Sequence, residues 1–287
     1  MTVIWIDGQY YDRDKAAVSV FDHGLLYGDG VFEGIRVYGG KVFRLQTHID
    51  RLYDSAKAIA LEIPLTNPDM VRMVREATAK SGFQDGYIRL VVTRGVGDLG
   101  LDPRKCKKPS VICIVDEIAI WTKDRYEKGL VCITAATPIS HRENLSPRIK
   151  SLNYLAHIMA KTESVAAGVD EALMMDPSGF VTEATGMNLF QVKGQRLRTP
   201  PEYAGILRGV TRDAVMELAR EAGYQAEEYP LTRYDLYTAD EVFLTGTAAE
   251  LIGVVRLDGR KIGCGAPGPI TKELTQRFRE LARKEGK

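Results

Sequence analysis

The stretch RIKSLNYL (148–155) sets Lys150 three residues after Pro147 and just before an apolar helical pattern. A lysine there is either a solvated helix-start residue or an amine nucleophile toward an aldehyde. The second use needs further groups, and the chain offers a candidate for each. In ILRGVTRDA, Gly209, Val210 and Thr211 stand at a helix start, where unpaired amides and a hydroxyl suit a phosphate. In FLTGTAAE, Gly246 and Thr247 make a second glycine-threonine turn directly after an apolar strand. Glu183, in FVTEATGMNLF, has apolar neighbours on both sides; if buried it needs a partner, and by spacing alone it also reads as an exposed strand-end glutamate. Tyr154 lies four residues after Lys150 and reads as a ligand or as a core tyrosine. An amine, a phosphate cup, an anion for a ring nitrogen and a group for a phenolate oxygen are what pyridoxal phosphate requires.

Secondary structure has to position these residues, and hydrophobic periodicity supplies the elements. Strand patterns occur at VIWI (3–6), AVSVF (17–21) and VFEGIRVY (31–38). A helix follows over 47–61, with Ile49, Leu52, Ala56 and Ile59 on one face and Thr47 placed to cap. A second helix is expected over 67–81 with Asn67 as cap and Pro68 at its first position, then strands at 87–94 and 110–117. WTKDRYEK (121–128) loses the apolar periodicity. The expected division is therefore a small α+β domain over 1–120, a connection at 121–129 and a larger α/β domain over 130–287 that carries Lys150. There a strand is expected at 130–139, a helix at 153–168 closed by Gly168 and a hairpin at 171–183 turning at Asp176-Pro177-Ser178-Gly179. A helix at 209–223, a strand at 241–246 and a closing helix from Pro269 complete an α/β protein.

The 287 residues, 45% hydrophobic, suffice for one large domain or two ordinary ones. With 39 basic against 38 acidic residues the net charge is +1, so no overall field recruits nucleic acid or an anionic membrane. A small neutral or zwitterionic partner suits the chain better. No uncharged run approaches the ~20 residues that span a bilayer. The N-terminus has no cationic start and the four cysteines form no C-x-x-C pair, so a reducing, cytoplasmic location is expected. His23, His48, His141 and His157 are scattered without metal-ligand spacing, and no metal is expected. RGVGDLG matches the dinucleotide pattern G-x-G-x-x-G at Gly95, Gly97 and Gly100. The following LDPRKCKKP has two prolines and no apolar stripe, so no helix can face a pyrophosphate. The run reads instead as a flexible loop carrying Leu99 and Leu101.

Taken in order, YGDGVFEGIR (27–36), HIDRLYDSAK (48–57), YIRLVVTRGVGDLG (87–100), IKSLNYL (149–155), GFVTEATGMNLF (179–190), GVTRDA (209–214) and GTAAEL (246–251) resemble the branched-chain amino acid aminotransferases of the fold-type IV pyridoxal-phosphate class. The match runs nearly end to end. It implies the fold-type IV architecture and amino-group exchange between branched-chain L-amino acids and 2-oxoglutarate. It further implies a homodimer, or a higher assembly of dimers, with shared sites. By this resemblance Lys150 is the covalent lysine and proton shuttle, Glu183 faces the pyridine nitrogen and Tyr154 meets the phenolate oxygen. Arg51 holds the phosphate with Thr247 and the Val210 and Thr211 amides, beside Gly209 and Gly246. Thr247 and Ala248, assisted by Tyr87, hold the substrate α-carboxylate. Phe32, Tyr27, Tyr87 and Trp121 wall an aliphatic pocket, although Phe32, Tyr27 and Trp121 also read as core aromatics. Tyr27 and the loop bearing Leu99 and Leu101 reach the neighbouring subunit's pocket. Arg89 alternates with Tyr87 on one strand face and is expected to meet the γ-carboxylate of glutamate, or else to be salt-bridged for structure. The threonine-arginine pair in VVTRG also occurs in relatives that act on D-amino acids or cleave aminodeoxychorismate, so a D-amino acid transaminase or an aminodeoxychorismate lyase is the alternative.

Overall fold

The computed structural model of the protein describes residues 1–118 and 121–285, which form two compact units. The first contains Met1–Ile118, Ile149–Asn153 and residues 282–285; the second contains residues 121–148 and Tyr154–Leu281.

In the first unit β1 (Val3–Ile6), β2 (Gln9–Tyr11), β3 (Gly30–Tyr38), β4 (Lys41–Val42), β5 (Gly86–Thr93) and β6 (Ser110–Asp116) make one antiparallel sheet, ordered β2-β1-β6-β5-β3-β4. The helices are α1 (His23–Tyr27), α2 (Leu45–Ala58) and α3 (Asn67–Ser81). Side chains on β5 alternate: Ile88, Leu90 and Val92 are fully buried, while Tyr87, Arg89 and Val91 are half-buried on the other face. The buried set packs with Ile49, Leu52 and Ala56 of α2 and Met70, Val74 and Ala77 of α3 into one core. The apolar stripe read along α2 is therefore its buried face.

Local details differ from the sequence reading. AVSVF is not a strand: Val18 and Val20 are 45% and 69% exposed, and apolar alternation without a partner strand makes no ladder. α2 starts ahead of Thr47, after Arg44 in the left-handed region (φ 45°) and without a side-chain cap. α3 is capped by Thr66 rather than Asn67, because the Thr66 hydroxyl reaches the free amide of Asp69. Lys150 lies in the first unit rather than in a 130–287 domain, because backbone pairing holds its segment there. Phe32 N donates to Lys150 O at 2.9 Å, Leu152 N donates to Gly30 O at 2.9 Å, and Ser151 bridges Val31. So few residues leave no periodic signature.

In the second unit α4 (Lys123–Lys128) occupies most of the expected connection. β7 (Leu130–Thr134), β8 (Glu171–Met175), β9 (Val181–Ala184), β10 (Asn188–Lys193), β11 (Arg196–Thr199), β12 (Gln225–Glu228), β13 (Glu241–Gly246), β14 (Glu250–Leu257) and β15 (Arg260–Lys261) form a mixed sheet. Its order is β12-β11-β10-β13-β14-β7-β8-β9, with β15 on β14. The helices are α5 (Leu155–Ala166), α6 (Val210–Glu221), α7 (Arg233–Tyr237) and α8 (Pro269–Glu285). The β8–β9 hairpin turns where expected, with Asp176 Oδ1 accepting from the Ser178 and Phe180 amides. Among the described residues no helix is long and apolar enough to cross a membrane.

The glycine run after β5 is a loop, followed only by a single 3-10 turn at Pro103–Lys105. It is anchored, contrary to the freedom its composition suggests. His23 N donates to Gly95 O at 2.9 Å, Gly97 N donates to Phe21 O at 3.2 Å, and Tyr27 Oη donates to Leu99 O at 2.6 Å. His23 Nε2 lies 2.8 Å from Asp98 O, which places the ring proton on that nitrogen. At Gly95 (φ +87°) a Cβ would sit 1.9 Å from the Lys108 carbonyl oxygen. Gly95→Ala should therefore lower the unfolding free energy by about 2 kcal/mol or more. At Gly100 a Cβ would meet only the Asp98 carboxylate, and Gly100→Ala should cost less than about 1 kcal/mol. Urea denaturation of both variants checks this; equal losses would mean the backbone approach at Gly95 is not what holds the loop.

Candidate active site

β3 sorts the FEGIR motif between two faces. Phe32, Gly34 and Arg36 share the face of Tyr87 and Arg89 on β5, while Glu33 and Ile35 turn toward the helices. Lys150 is held by its own backbone, its N donating to Ser55 Oγ at 3.1 Å and its carbonyl accepting from Phe32. Its Nζ lies 4.4 Å from the centroid of the Phe32 ring, and the Arg89 guanidinium lies 4.7 Å from the same centroid. Arg89 also lies over Tyr87, at 5.4 Å, and among the described residues it has no carboxylate partner. The salt-bridged alternative for Arg89 is thus not what the structure contains. Gly34 makes room for Tyr87: a Cβ there would fall 1.9 Å from the phenolic oxygen.

Under this face Glu33 is fully buried. Arg51 grips it with Nε to Oε1 at 2.7 Å and Nη2 to Oε2 at 2.8 Å, and His48 Nδ1 lies 2.8 Å from Oε2. Burial alone would push the Glu33 carboxyl up; the Arg51 guanidinium and then His48 overcome this and hold it well below the usual carboxylate range. Burial pushes His48 down, with Arg51 and Lys150 adding to it against the pull of Glu33. His48 is therefore neutral at pH 7 and donates its Nδ1 proton to the carboxylate. Nε and Nη2 of Arg51 are thus both committed to Glu33.

The second unit holds another buried carboxylate, Glu183, and the candidates at 121, 154, 209–211 and 246–248. Glu183 Oε2 accepts from Asn188 Nδ2 and from Leu207 N, each at 3.1 Å, and Asn188 Nδ2 also donates to Leu207 O at 2.8 Å. This ties Glu183 to the segment entering α6. Gly209, the α6 N-cap, is where a Cβ would lie 2.0 Å from Asn188 Oδ1. α6 has no side-chain cap, which leaves the amides of its first turn, at Val210 and Thr211, to other acceptors. Gly246, Thr247 and Ala248 form the half-buried turn from β13 into β14, where Glu250 is held in the left-handed region at φ +58°.

Placement of the other residues is mixed. Tyr154 caps α5, with its ring stacked on His157. Trp121 packs on the core of the second unit with Lys161 Nζ 5.1 Å from its ring centroid. Tyr27 sets its ring against His23 and its hydroxyl on Leu99, and makes no ring contact with Phe32 or Tyr87. Leu99 and Leu101 are exposed. Sequence reasoning missed Glu33, His48, Ser55, Asn188 and His157. The signal available for Glu33 was a carboxylate inside an apolar strand run with a histidine and an arginine three residues apart on the next helix. Among the described residues no cluster of His, Cys, Asp and Glu could hold a metal ion.

The model of the family described as Amino-transferase class IV matches residues 30–257. The branched-chain-amino-acid aminotransferase of Pseudomonas aeruginosa is 37% identical to this chain, over 97% of this chain and 92% of its own length. The solved branched-chain amino acid aminotransferase of Escherichia coli has a TM-score of 0.95 at 34% identity, over 99% of this chain and 95% of its own. That of Thermobaculum terrenum, solved in its PLP-form, has a TM-score of 0.89 at 30% identity, over 99% and 94%.

Glu33 generates a prediction with a sign. Its carboxyl is held below its unfolded value, so its stabilisation is present above about pH 4.3 and is lost as pH falls further. Glu33→Gln, which strands Arg51, should lower the unfolding free energy by about 3 kcal/mol at pH 7. The gap to the parent protein should narrow steadily below about pH 4. A gap independent of pH would show that the network acts by shape and not by charge.

Proposed function

Because this chain belongs to the class IV amino-transferases, we propose that it exchanges an amino group between branched-chain L-amino acids and 2-oxoglutarate, with pyridoxal phosphate bound at Lys150. The observation that carries the cofactor assignment is Glu183: it is buried, yet both donors to its Oε2 are neutral amides. A buried carboxylate without a guanidinium or ammonium partner fits a protonated ring nitrogen. The PLP-form of a relative 30% identical supports the same reading. When bound, pyridoxal phosphate supplies an aldehyde that condenses with amines and a ring that accepts the electrons left when the substrate loses its α-proton.

In this reading the Lys150 amine makes the covalent link and then moves the proton at the substrate α-carbon. Glu183 Oε1 faces the ring nitrogen and Tyr154 holds the phenolate oxygen. Arg51, the first-turn amides of α6 at Val210 and Thr211, and Thr247 hold the phosphate. The turn at Thr247 and Ala248, helped by Tyr87, takes the α-carboxylate. Phe32, Tyr87 and Trp121 wall the aliphatic chain. Tyr27 and the loop with Leu99 and Leu101 serve the site of a second copy in a homodimer; the exposure of both leucines on an anchored loop supports this. Four free cysteines support work in a reducing, cytoplasmic compartment.

Purified protein should absorb near the violet, and borohydride should fix the cofactor on the peptide containing Lys150. L-leucine with 2-oxoglutarate should turn over and D-alanine should not; the reverse would make the protein a D-amino acid transaminase. Colourless protein that pyridoxal phosphate leaves colourless would sink the reading.

Arg89 decides how one pocket takes both leucine and glutamate. Without a carboxylate partner of its own, it is poised for the γ-carboxylate, whose burial otherwise goes uncompensated. Arg89→Leu should cost about 2 to 4 kcal/mol of transition-state binding with glutamate and less than about 1 kcal/mol with leucine. Single-turnover rates measure both; equal losses would make Arg89 structural.

A further inference from the structure

His157 belongs to no motif and to no role assigned so far, yet it touches two of the residues given one. It follows Tyr154 by three residues, so the two share a side of α5, and their rings stack with centroids 4.6 Å apart and planes 24° apart. Its Nε2 lies 3.7 Å from Glu183 Oε1, outside a hydrogen bond but within ion-pair reach. Glu183 Oε2 is already taken by Asn188 and Leu207, so Oε1 is the oxygen that His157 approaches.

The opposite nitrogen, Nδ1, is buried and has no hydrogen-bond partner among the described residues. A proton on Nδ1 would be a buried N–H with nothing to receive it, which folded proteins rarely leave. A proton on Nε2 points at the carboxylate and leaves Nδ1 as an unused acceptor, the cheaper defect. Lys161, one turn along the same side of the helix, is drawn away to Asp170 O and Glu171. Nothing else on that stretch of α5 competes for Glu183.

We propose that His157 is a positioning residue for the cofactor: with a proton on Nε2 it steadies Glu183 Oε1 as the acceptor for the ring nitrogen while its face fixes the Tyr154 ring. The carboxylate oxygen has two lone pairs, so the approach of His157 leaves it able to accept from the ring nitrogen. One imidazole thereby sets the groups meant for two different polar atoms of the cofactor. This inference rests on the assignment of Glu183 and Tyr154 to the cofactor.

The test uses His157→Phe, which keeps the stack on Tyr154 and removes the N–H, and His157→Gln, which keeps an N–H and removes the stack. Each is titrated with pyridoxal phosphate, and the ring nitrogen is followed by 15N NMR with labelled cofactor. His157→Phe should weaken cofactor binding about tenfold and shift the ring-nitrogen resonance toward the unprotonated form. His157→Gln should keep the resonance near the parent position while its affinity falls less. If His157→Phe does not fold, a parent-like resonance in both His157→Gln and His157→Ala overturns the proposal. Parent-like affinity and resonance in a folded His157→Phe overturn this inference alone. Parent protein that takes up no pyridoxal phosphate overturns it together with the function it rests on.

Discussion

A carboxylate with no exposed surface, set inside a β-strand, is the constraint around which the first unit is arranged. Glu33 has to be met by donors at its own depth, and His48 and Arg51 of α2 supply them from adjacent positions on one helical face. That requirement fixes the rotation of α2 over β3. Since strand side chains alternate, it also decides which face Phe32 and Gly34 take. A slip of one residue would carry Glu33 to the other face and Phe32 into the helix layer. The ring on which the Lys150 amine rests is therefore where it is because Glu33 is satisfied beneath it.

Glu183 is buried almost as deeply but solved differently. Glu33 receives a guanidinium through two bonds, whereas the hydrogen bonds to Glu183 come from a side-chain amide and a backbone amide, with His157 Nε2 3.7 Å from its other oxygen. The first arrangement neutralises a charge and is complete without any ligand. The second brings no guanidinium or ammonium to the carboxylate. Two glutamates of similar burial are thus met differently, and it is the charge of their hydrogen-bond donors that separates the architectural Glu33 from Glu183, the proposed partner of the cofactor.

Much of the fold was legible because it rests on periodicity. β1, β13 and α3 fall where apolar spacing puts them, and the buried stripe of α2 was readable although its start was not. AVSVF failed because alternation states which face is apolar and not whether a neighbouring strand exists. The caps failed by three residues at α2, whose start carries no side-chain cap, and by one at α3. The roles expected of Lys150, Glu183 and Arg51 came from family resemblance, since each alone reads as surface charge. Asn188 and His157 were missed because what they do depends on residues five and twenty-six positions away, Glu183 in both cases. No local pattern records such a pairing.

The means by which the candidate residues are held also differ between the units. Lys150 is fixed through its main chain, by the Phe32 amide, the Ser55 hydroxyl and the neighbouring Leu152–Gly30 pairing, so most substitutions at flanking positions leave those bonds possible. Glu183 depends on one side chain, because Asn188 binds the carboxylate and the Leu207 carbonyl together and its Oδ1 fills the space where Gly209 has no Cβ. An aspartate there could not donate to either oxygen, and a longer amide would press on Gly209. The lysine proposed for the chemistry is thus placed by backbone geometry that many sequences can supply, while Glu183 is placed by a side chain with little latitude.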